Sequence, residues 1–424
     1  MLTPEDIDRQ QFSKQFKGYA VEEVDDFLEE LTNDYEVLML ANKKQEDRIK
    51  DLETKLEGIS NNTNILQETL LIAKQTADDM KKRAEEEANI IVAEAKKMLE
   101  DRAGNIDQII QEKQDTLEFL KKEIEEYNQL KVLNAFKKQK LSATDFSWTT
   151  GYGYGDFGRE KLERIYCDIF KAKDAIVRQE ITCGTHAISL ALQGNLLPGD
   201  EFIYITGTPY DTLLKVIGIS GDEKGTLLDY GIKYNKVDLV NNEIDVETVL
   251  SKINSKTKLL AIQRSPGYSS RRCISINELE VVIKKIKEKF PNIIIMIDNC
   301  YCEFVEKKEP LEVGADIVVG SLLKNLGAGI TLNGGYIVSN STEIESISNR
   351  LTSPGLGRHV GVSFGTTRAI IQGLYFAPRV VLEAVKSAIL VSYIFEKLGY
   401  ETIPKYNENR SDIIQVITMN DENK

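Results

Sequence analysis

The first residues of the chain carry their hydrophobic positions at helical spacing. Residues 3–6, Thr-Pro-Glu-Asp, have the composition of a helix start, with a capping threonine, a proline in the first turn and two acids behind it. Gly18 ends this piece, and a second helix follows with one apolar face formed by Val21, Val24, Phe27, Leu28 and Leu31. Residues 1–35 are therefore predicted to form a small helical head.

The next stretch, residues 36–127, contains no proline and repeats its apolar positions at spacings of three and four. A repeat near 3.5 residues with Lys and Glu between the apolar positions predicts a coiled coil. A helix this polar cannot bury its apolar stripe alone, so we expect self-association rather than a solvated single helix. The stripe comprises Ile49, Leu52, Leu56, Ile59, Ala73, Ala77, Met80, Ala84, Ala88, Ile91, Ala95 and Met98.

Beyond Leu130 the pattern changes to short β-branched runs that alternate with helical stretches such as 276–290. This alternation predicts an α/β domain with a mostly parallel sheet over residues 128–380. Residues 378–400 are predicted to form a long helix that leads out of it, and residues 381–424 to begin a further, truncated C-terminal domain. The predicted strands are 202–205, 259–262, 293–297, 317–319 and 335–338.

Charge divides the chain in the same place. Residues 1–130 hold 18 basic and 32 acidic residues, whereas the remainder holds 36 and 35, which indicates two separate modules. No basic surface of the kind that binds nucleic acid is indicated. Five cysteines without a CxxC pair, and two histidines, predict reduced thiols and no metal site. No signal pattern and no apolar run of membrane-spanning length occur, so we expect a cytoplasmic protein.

The head has a specific sequence pattern in residues 2–7, 12–19 and 22–28. Together with residues 34–36 and 65–95, it resembles the DivIVA family of bacterial cell-division proteins. The resemblance implies a dimeric lipid-binding head, a parallel coiled coil, and a peripheral position at the inner face of the cell membrane, at the septum or pole. It also implies that Phe16 and Lys17 contact the membrane.

Those two side chains suit an anionic membrane surface. A phenylalanine on a loop can enter the boundary between headgroups and acyl chains, and a lysine can meet the lipid phosphates. One such pair binds weakly, so the coiled coil would have to present several copies. The alternative is that Phe16 belongs to the core of the head.

The α/β part carries a second pattern in residues 297–302, 310–319 and 321–325. It resembles the cofactor region of the pyridoxal 5'-phosphate (PLP) enzymes of Cys/Met metabolism, and most closely the methionine gamma-lyase family, also called aluminium resistance proteins. Residues 149–154, 184–192, 210–213 and 352–357 support the resemblance, which covers about residues 125–424. It implies the fold-type I PLP-dependent transferase fold, with helices flanking the sheet.

The same resemblance assigns three catalytic residues. Lys324 would form a Schiff base with the cofactor aldehyde, Asp298 would pair with the pyridine nitrogen, and Tyr210 would stack on the ring. Each residue also has an ordinary structural alternative. Lys324 alone resembles a surface charge, Asp298 resembles a helix cap, and Tyr210 resembles loop packing.

Five further residues are implied to bind the cofactor phosphate. Gly184 and Thr185 open a helix whose N-terminal N–H groups suit an anion, and Ser321 would add a hydroxyl group. Tyr154 and Arg159 correspond to a pair that reaches the phosphate from the neighbouring subunit in related enzymes. Their spacing differs from the commoner Tyr-x-Arg, and this role would require at least a dimer.

Together these features predict a PLP-dependent carbon–sulfur lyase that acts on a sulfur-containing amino acid and is carried on a DivIVA-like coiled coil. The expected assembly is a homo-oligomer, a dimer or tetramer. The chain stops soon after the long helix, before the arginine that normally binds the substrate carboxylate, and Arg410 lies too early to replace it. An inactive membrane-targeting scaffold with a degenerate PLP domain is therefore the alternative function. A transferase on the same fold is a third.

Overall fold

The structure is a computed structural model that describes residues 3–15, 18–35, 106–340 and 343–419, with single helical positions at 37, 39, 43, 48, 50 and 82. Side chains of 106–121 lie outside the described part, as do Phe16, Lys17 and most of the predicted coiled coil. The chain divides into two compact units, Met1–Ile109 and Ile110–Lys424.

The first unit begins with the helix that its sequence predicts. This helix, Pro4–Arg9, has a capping box in which the Thr3 hydroxyl accepts a hydrogen bond from the Asp6 N–H, and Asp6 accepts one from the Thr3 N–H at 2.9 Å. Two-residue strands, Lys14–Gln15 and Gly18–Tyr19, pair antiparallel. Residues 21–35 are helical, and Phe12 packs against Tyr19 and Phe27 with ring centroids 6.2 and 5.5 Å apart.

The second unit contains a seven-stranded sheet. Its strands are β1 (Asp174–Arg178), β2 (Glu201–Tyr204), β3 (Lys233–Lys236), β4 (Thr257–Gln263), β5 (Ile294–Asp298), β6 (Ile317–Ser321) and β7 (Gly335–Ser339). Their order across the sheet is β1-β7-β6-β5-β4-β2-β3. All neighbours pair parallel except β7, which runs antiparallel to β1 and β6. The mostly parallel α/β sheet predicted from the sequence is thus present.

Helices cover both faces of this sheet, and two buried hydrophobic clusters fill the space between. The central strands are nearly continuous apolar runs because both of their faces are buried. The helices are α1 (Ile106–Lys138), α2 (Phe157–Phe170), α3 (Gly184–Asn195), α4 (Asp211–Ile217), α5 (Val246–Lys252), α6 (Ile276–Lys289), α7 (Glu343–Leu351) and α8 (Thr366–Lys397); short 3-10 helices occupy Ala143–Phe146, Pro310–Val313 and Asn325–Gly327.

Helix α6 shows how the local sequence builds such an element. Ser275 and Glu278 form a capping box, with the Glu278 N–H donating to the Ser275 hydroxyl and the Ser275 N–H to the Glu278 carboxylate. Lysines occupy the last turn, where they complement the helix dipole. Its apolar residues recur at helical spacing and are buried against the sheet: Ile276, Leu279, Val282, Ile283 and Ile286.

The ends of the predicted α/β domain lie inside two long helices. The junction at 127/128 falls within α1, whose Val132 and Ala135 are buried in the core of the second unit. The boundary at 380/381 falls within α8. That helix begins at Thr366 and not at Pro378 as predicted, because buried Ile370, Leu374 and Ala377 extend its packed face upstream. This packing outweighs the loss of one helical hydrogen bond at Pro378.

The residues after α8 return to the sheet. They form a small antiparallel hairpin of β8 (Glu401–Ile403) and β9 (Val416–Thr418). Between these strands the Ile413 N–H donates to the Tyr301 carbonyl at 3.1 Å, and the Ser265 hydroxyl donates to Asp412 at 2.8 Å. Among the described residues, no helix combines the length and apolar character that crossing a bilayer requires.

Replacing Asn128 by alanine tests how α1 is held in the second unit. The Asn128 side chain is fully buried and donates to the carbonyls of Phe304 at 3.0 Å and Glu306 at 3.1 Å. Its loss leaves these carbonyls without that donor, so we expect the free energy of unfolding to fall by about 1–3 kcal/mol in urea titrations. The control Leu130→Ala removes a mostly exposed side chain of the same helix. An equal change in both variants would contradict the assignment.

Candidate active site

A cavity of about 820 Å³ opens at the carboxyl edge of the sheet, beside the ends of β4, β5 and β6. Parallel strands place their last residues at one edge, and open α/β sheets bind ligands there. Six residues predicted from the sequence line the cavity together: Gly184, Thr185, Tyr210, Asp298, Ser321 and Lys324.

Lys324 follows the last residue of β6 by three positions, and its Nζ lies 3.9 Å from the ring centroid of Tyr301. Burial lowers the pKa of the Lys324 ammonium, but negative charge on Cys300 and Asp298 outweighs it, so the net direction is upward. Because burial also raises the pKa of the Cys300 thiol well above its ordinary value, Asp298 is the partner that supplies this charge. Lys324 and Asp298 therefore interact electrostatically within one cavity.

Asp298 is the last residue of β5 and is 5% exposed. Its carboxylate accepts a hydrogen bond from the Cys300 N–H at 3.1 Å. Burial raises the pKa of this carboxyl group, whereas Lys324 and the hydrogen bond to Cys300 oppose the rise. A buried carboxylate is costly unless a cation compensates it. This geometry differs from an ordinary helix cap, since Asp298 is held inside a cavity that also contains an amine.

The N-terminus of α3 forms one wall of the cavity. A Cβ added at Gly184 would lie 3.0 Å from the Cys300 Sγ and 3.6 Å from the Ser321 Cβ, so a larger residue here would press on Cys300. The hydroxyl groups of Thr185 and Tyr210 are 3.0 Å apart, and Ser321 Oγ accepts from the Leu323 N–H at 3.1 Å. Burial raises the pKa of the Tyr210 phenol, and its side chain is held neutral.

Two predicted residues are not brought into this cavity of their own chain. Tyr154 is 63% exposed and packs beside Tyr152, with ring centroids 6.0 Å apart. Arg159 is buried, and its guanidinium donates to the carbonyls of Gly153, at 3.0 Å, and Gly361. The structure thus shows Arg159 joining two loops within the chain, and its role at the site of a neighbouring subunit stays a prediction.

Several lining residues were not singled out from the sequence. Tyr301 adopts φ 72°, and this rare conformation places its ring against Lys324. Gln263 and Ser265 come from the end of β4, and Ile413 comes from the returning C-terminal segment. Gln263 directly follows the predicted strand 259–262, so its place at a strand end was available from the sequence. The structure pairs it with Asp298 in the parallel register. No local pattern indicated that Ile413 would return.

The model of the methionine gamma-lyase family matches residues 103–424, three quarters of the chain. The chain belongs to this family. An uncharacterized Bacillus subtilis protein, YnbB, is 47% identical over 304 residues, which cover 71% of this chain and 72% of YnbB. A crystal structure of a candidate cystathionine beta-lyase involved in aluminum resistance, from Listeria monocytogenes, superposes with TM-score 0.73 and 42% identity, covering 74% of this chain and 78% of that one.

The DivIVA protein model matches residues 2–140, so the resemblance of the head is confirmed as well. The cell division protein DivIVA of Streptococcus pneumoniae is 37% identical over 94 residues, which cover 22% of this chain and 36% of that protein. This chain therefore spans about a third of that relative. The two family matches overlap over residues 103–140, the region of α1.

Members of the methionine gamma-lyase family are PLP-dependent. The described residues fit this cofactor on three counts. An amine and a carboxylate, Lys324 and Asp298, face one cavity; a glycine, Gly184, leaves room at a helix N-terminus; and hydroxyl groups of Thr185 and Ser321 stand beside that terminus. No cluster of three or more potential metal ligands occurs within the described ranges.

Glu303 provides a pH test of the turn that follows β5. Its side chain is fully buried and accepts from the Tyr336 hydroxyl at 2.8 Å, and burial raises its pKa to about 8. A raised carboxyl pKa means that the folded state binds the proton more tightly than the unfolded state. Stability is therefore retained below the ordinary pKa of 4.5 and lost as the pH rises towards 8.

We expect Glu303→Gln to flatten this loss. Between about pH 4.5 and 8, wild type should lose up to about 1.4 kcal/mol per pH unit relative to the variant, measured as the free energy of urea unfolding. The matched control Glu288→Gln changes an exposed carboxylate on α6 and should run parallel to wild type. Parallel curves for Glu303→Gln and wild type would show that Glu303 titrates normally.

Proposed function

We propose that the second unit is a PLP-dependent carbon–sulfur lyase that acts on a sulfur-containing amino acid. The observation that carries this proposal is the pairing of Lys324 and Asp298 across one cavity. The family match and the name of the Listeria monocytogenes relative support the reaction class. A cavity of about 820 Å³ is large enough for a cofactor and a small amino acid, since ligand sites commonly measure about 300–1,000 Å³.

Each lining residue has a proposed task. When bound, PLP supplies an electron sink for the carbanion that forms at the substrate α-carbon. Lys324 holds the cofactor and, once its amine is free, takes the α-proton of the substrate. Asp298 would stabilise a positive charge on the ring nitrogen. Tyr210 would lie against the ring, with its neutral phenol oriented by the Thr185 hydroxyl at 3.0 Å.

The phosphate is proposed to lie at the N-terminus of α3. The N–H groups of Gly184 and Thr185 point outward from this 12-residue helix, and the Ser321 hydroxyl lies on the facing strand end. Lys324 and Asp298 line the same cavity. We propose that the helix N-terminus holds the anionic group while the amine and the carboxylate act on the rest of the cofactor.

The substrate would enter from the side of the cavity formed by α8 and the C-terminal segment. Val380, Val381 and Ala384 of α8 and Ile413 and Ile414 line this part and offer an apolar surface to a thioether. Gln263 and Ser265 supply polar groups nearby. In the proposed reaction the carbon–sulfur bond breaks, the sulfur leaves as a thiol with one proton, and the remaining carbon skeleton is released as an oxo acid and ammonia after water addition.

Borohydride labelling tests the cofactor assignment. We expect the chain incubated with PLP and reduced with borohydride to carry the phosphopyridoxyl group on Lys324, located by peptide mass mapping. The Lys324→Ala variant should lose the label and the release of thiol from L-cystathionine. Lys308→Ala, which removes an exposed lysine that pairs with Glu280, is the matched control and should keep both.

Two results separate the parts of this proposal. A label on other lysines with none on Lys324 would refute the cofactor site. A label on Lys324 without thiol release from L-cystathionine or L-methionine would retain the cofactor site and refute the lyase reaction. It would favour the second candidate function, a membrane-targeting scaffold with an inactive PLP domain, which the DivIVA match over residues 2–140 supports.

We further propose that the head carries the enzyme to an anionic membrane as a homo-oligomer, with Phe16 and Lys17 as contacts. Both residues lie outside the described part, and the proposal rests on the family match and on the chemistry of these side chains. In the sequence they lie between the strands Lys14–Gln15 and Gly18–Tyr19, which pair antiparallel.

Liposome sedimentation tests this contact. The full chain should sediment with vesicles containing anionic lipid, and Phe16→Ala with Lys17→Ala should reduce the bound fraction at least about tenfold, since multivalent display multiplies the loss per copy. The double variant Lys14→Ala with Gln15→Ala changes the same hairpin and also removes one charge. Binding that survives the first pair, or is lost equally in both, would defeat the assignment.

A further inference from the structure

Two cysteines from different segments meet beneath the candidate site. Cys273 lies in the loop between β4 and α6, and Cys302 lies in the turn after β5. Their sulfur atoms are 3.5 Å apart, in non-bonded contact. Cys302 is 1% exposed, whereas Cys273 is partly exposed. An oxidant from solvent would therefore reach Cys273 first, and the buried Cys302 thiol lies in contact with it.

Two fixed cations stand beside this pair. Arg264 is 1% exposed, and its guanidinium lies within electrostatic reach of both sulfurs while it donates to the Glu306 carboxylate at 2.5 Å. Arg264 is held by the Ile274 carbonyl at 3.1 Å and the Asn299 side chain at 2.7 Å.

Arg271 is placed in the same way. Its guanidinium donates to the backbone carbonyls of Gln263 at 2.7 Å and Arg264 at 2.9 Å. It also lies within electrostatic reach of the same two cysteines. Burial raises the pKa of the Cys302 thiol well above its ordinary value, so Cys302 stays protonated and the partly exposed Cys273 is the sulfur that an oxidant reaches first.

We propose that Cys273 and Cys302 form a redox modification site that closes to a disulfide under a hydroperoxide and reopens with a small thiol. The pair is separated by 29 positions in the sequence and brought together only by the fold. The proposal is independent of the lyase reaction, because neither cysteine has a role in that reaction and the chemistry requires no cofactor.

The chemistry balances with hydrogen peroxide as the oxidant. The Cys273 sulfur attacks one peroxide oxygen, the O–O bond breaks, and the released hydroxide takes up the thiol proton as water, leaving a sulfenic acid. The Cys302 sulfur then attacks the Cys273 sulfur, the S–O bond breaks, and the leaving hydroxide accepts the Cys302 proton as a second water. Two thiols are oxidised to one disulfide while one peroxide is reduced to two waters.

Closing the bond requires the two sulfur atoms to approach each other. A disulfide bond is about 2.05 Å long, so the sulfurs have to move closer by about 1.5 Å from their 3.5 Å separation. Cys302 follows Tyr301 directly, and the Tyr301 ring contacts Lys324 while its carbonyl accepts from Ile413. The new bond would therefore form next to the turn that lines the cavity.

Thiol-specific mass mapping tests the site on the full chain without PLP. After hydrogen peroxide, alkylation and digestion without reductant, we expect one linked peptide pair joining Cys273 to Cys302, a fall from five free thiols to three, and full recovery with dithiothreitol. Cys300 and Cys302 share one tryptic peptide, so variants must distinguish them. Cys300→Ser should keep the link and Cys302→Ser should abolish it.

Cys167→Ser removes a cysteine of α2 and serves as the matched control that keeps the link. The proposal is overturned by a wild-type map without the linked pair, by over-oxidation of Cys273 alone, or by a link that survives Cys302→Ser. The wild-type map requires no variant, so a variant that fails to fold leaves the test intact. Its outcome is also separate from the PLP labelling, because thiols are counted in the absence of cofactor.

Discussion

The second unit depends on one electrostatic arrangement: a carboxylate and an ammonium that face each other across a cavity at the end of a buried parallel sheet. Asp298 is buried, and a buried carboxylate without a cation nearby costs several kcal/mol. The partly exposed Lys324 supplies that countercharge from the same cavity. A cationic ring nitrogen and an aldehyde would relieve both groups at once, which is why the site suits the cofactor of its family.

A polar network ties this site to the helix that enters from the N-terminal part. Asn128 of α1 donates to the Phe304 and Glu306 carbonyls, and the Glu306 carboxylate accepts from Arg264 at 2.5 Å. Arg264 in turn holds Asn299, the residue after Asp298. The helix that both family models share is thus a structural part of the second unit and not a passive linker. The cysteine pair lies beside the same arginine.

The site residues that lie at or just after a strand within the family-like segments could be predicted from the sequence. Asp298, Ser321 and Lys324 come directly from strand ends, and parallel strands bring such ends to one edge. The prediction for Arg159 came from the family resemblance, although its spacing from Tyr154 departs from the commoner Tyr-x-Arg, and the structure shows its guanidinium donating to carbonyls within the chain. The start predicted for α8 at Pro378 was wrong, because a proline typical of a first turn is also tolerated where packing on both sides holds the helix.

Taken by itself, the sequence determined the alternation of strands and helices, the two modules with their different charge, and the identity of the amine and the carboxylate. The strands, helices and modules follow from local periodicity and charge. The amine and the carboxylate follow from the short family-like motifs in residues 297–302 and 321–325. Only the tertiary structure decided that Ile413 returns to the cavity, that Tyr301 turns its ring onto Lys324 with φ 72°, and that Cys273 meets Cys302. Such contacts join residues far apart in the chain, and their geometry is set by how helices and strands pack, which no local pattern encodes.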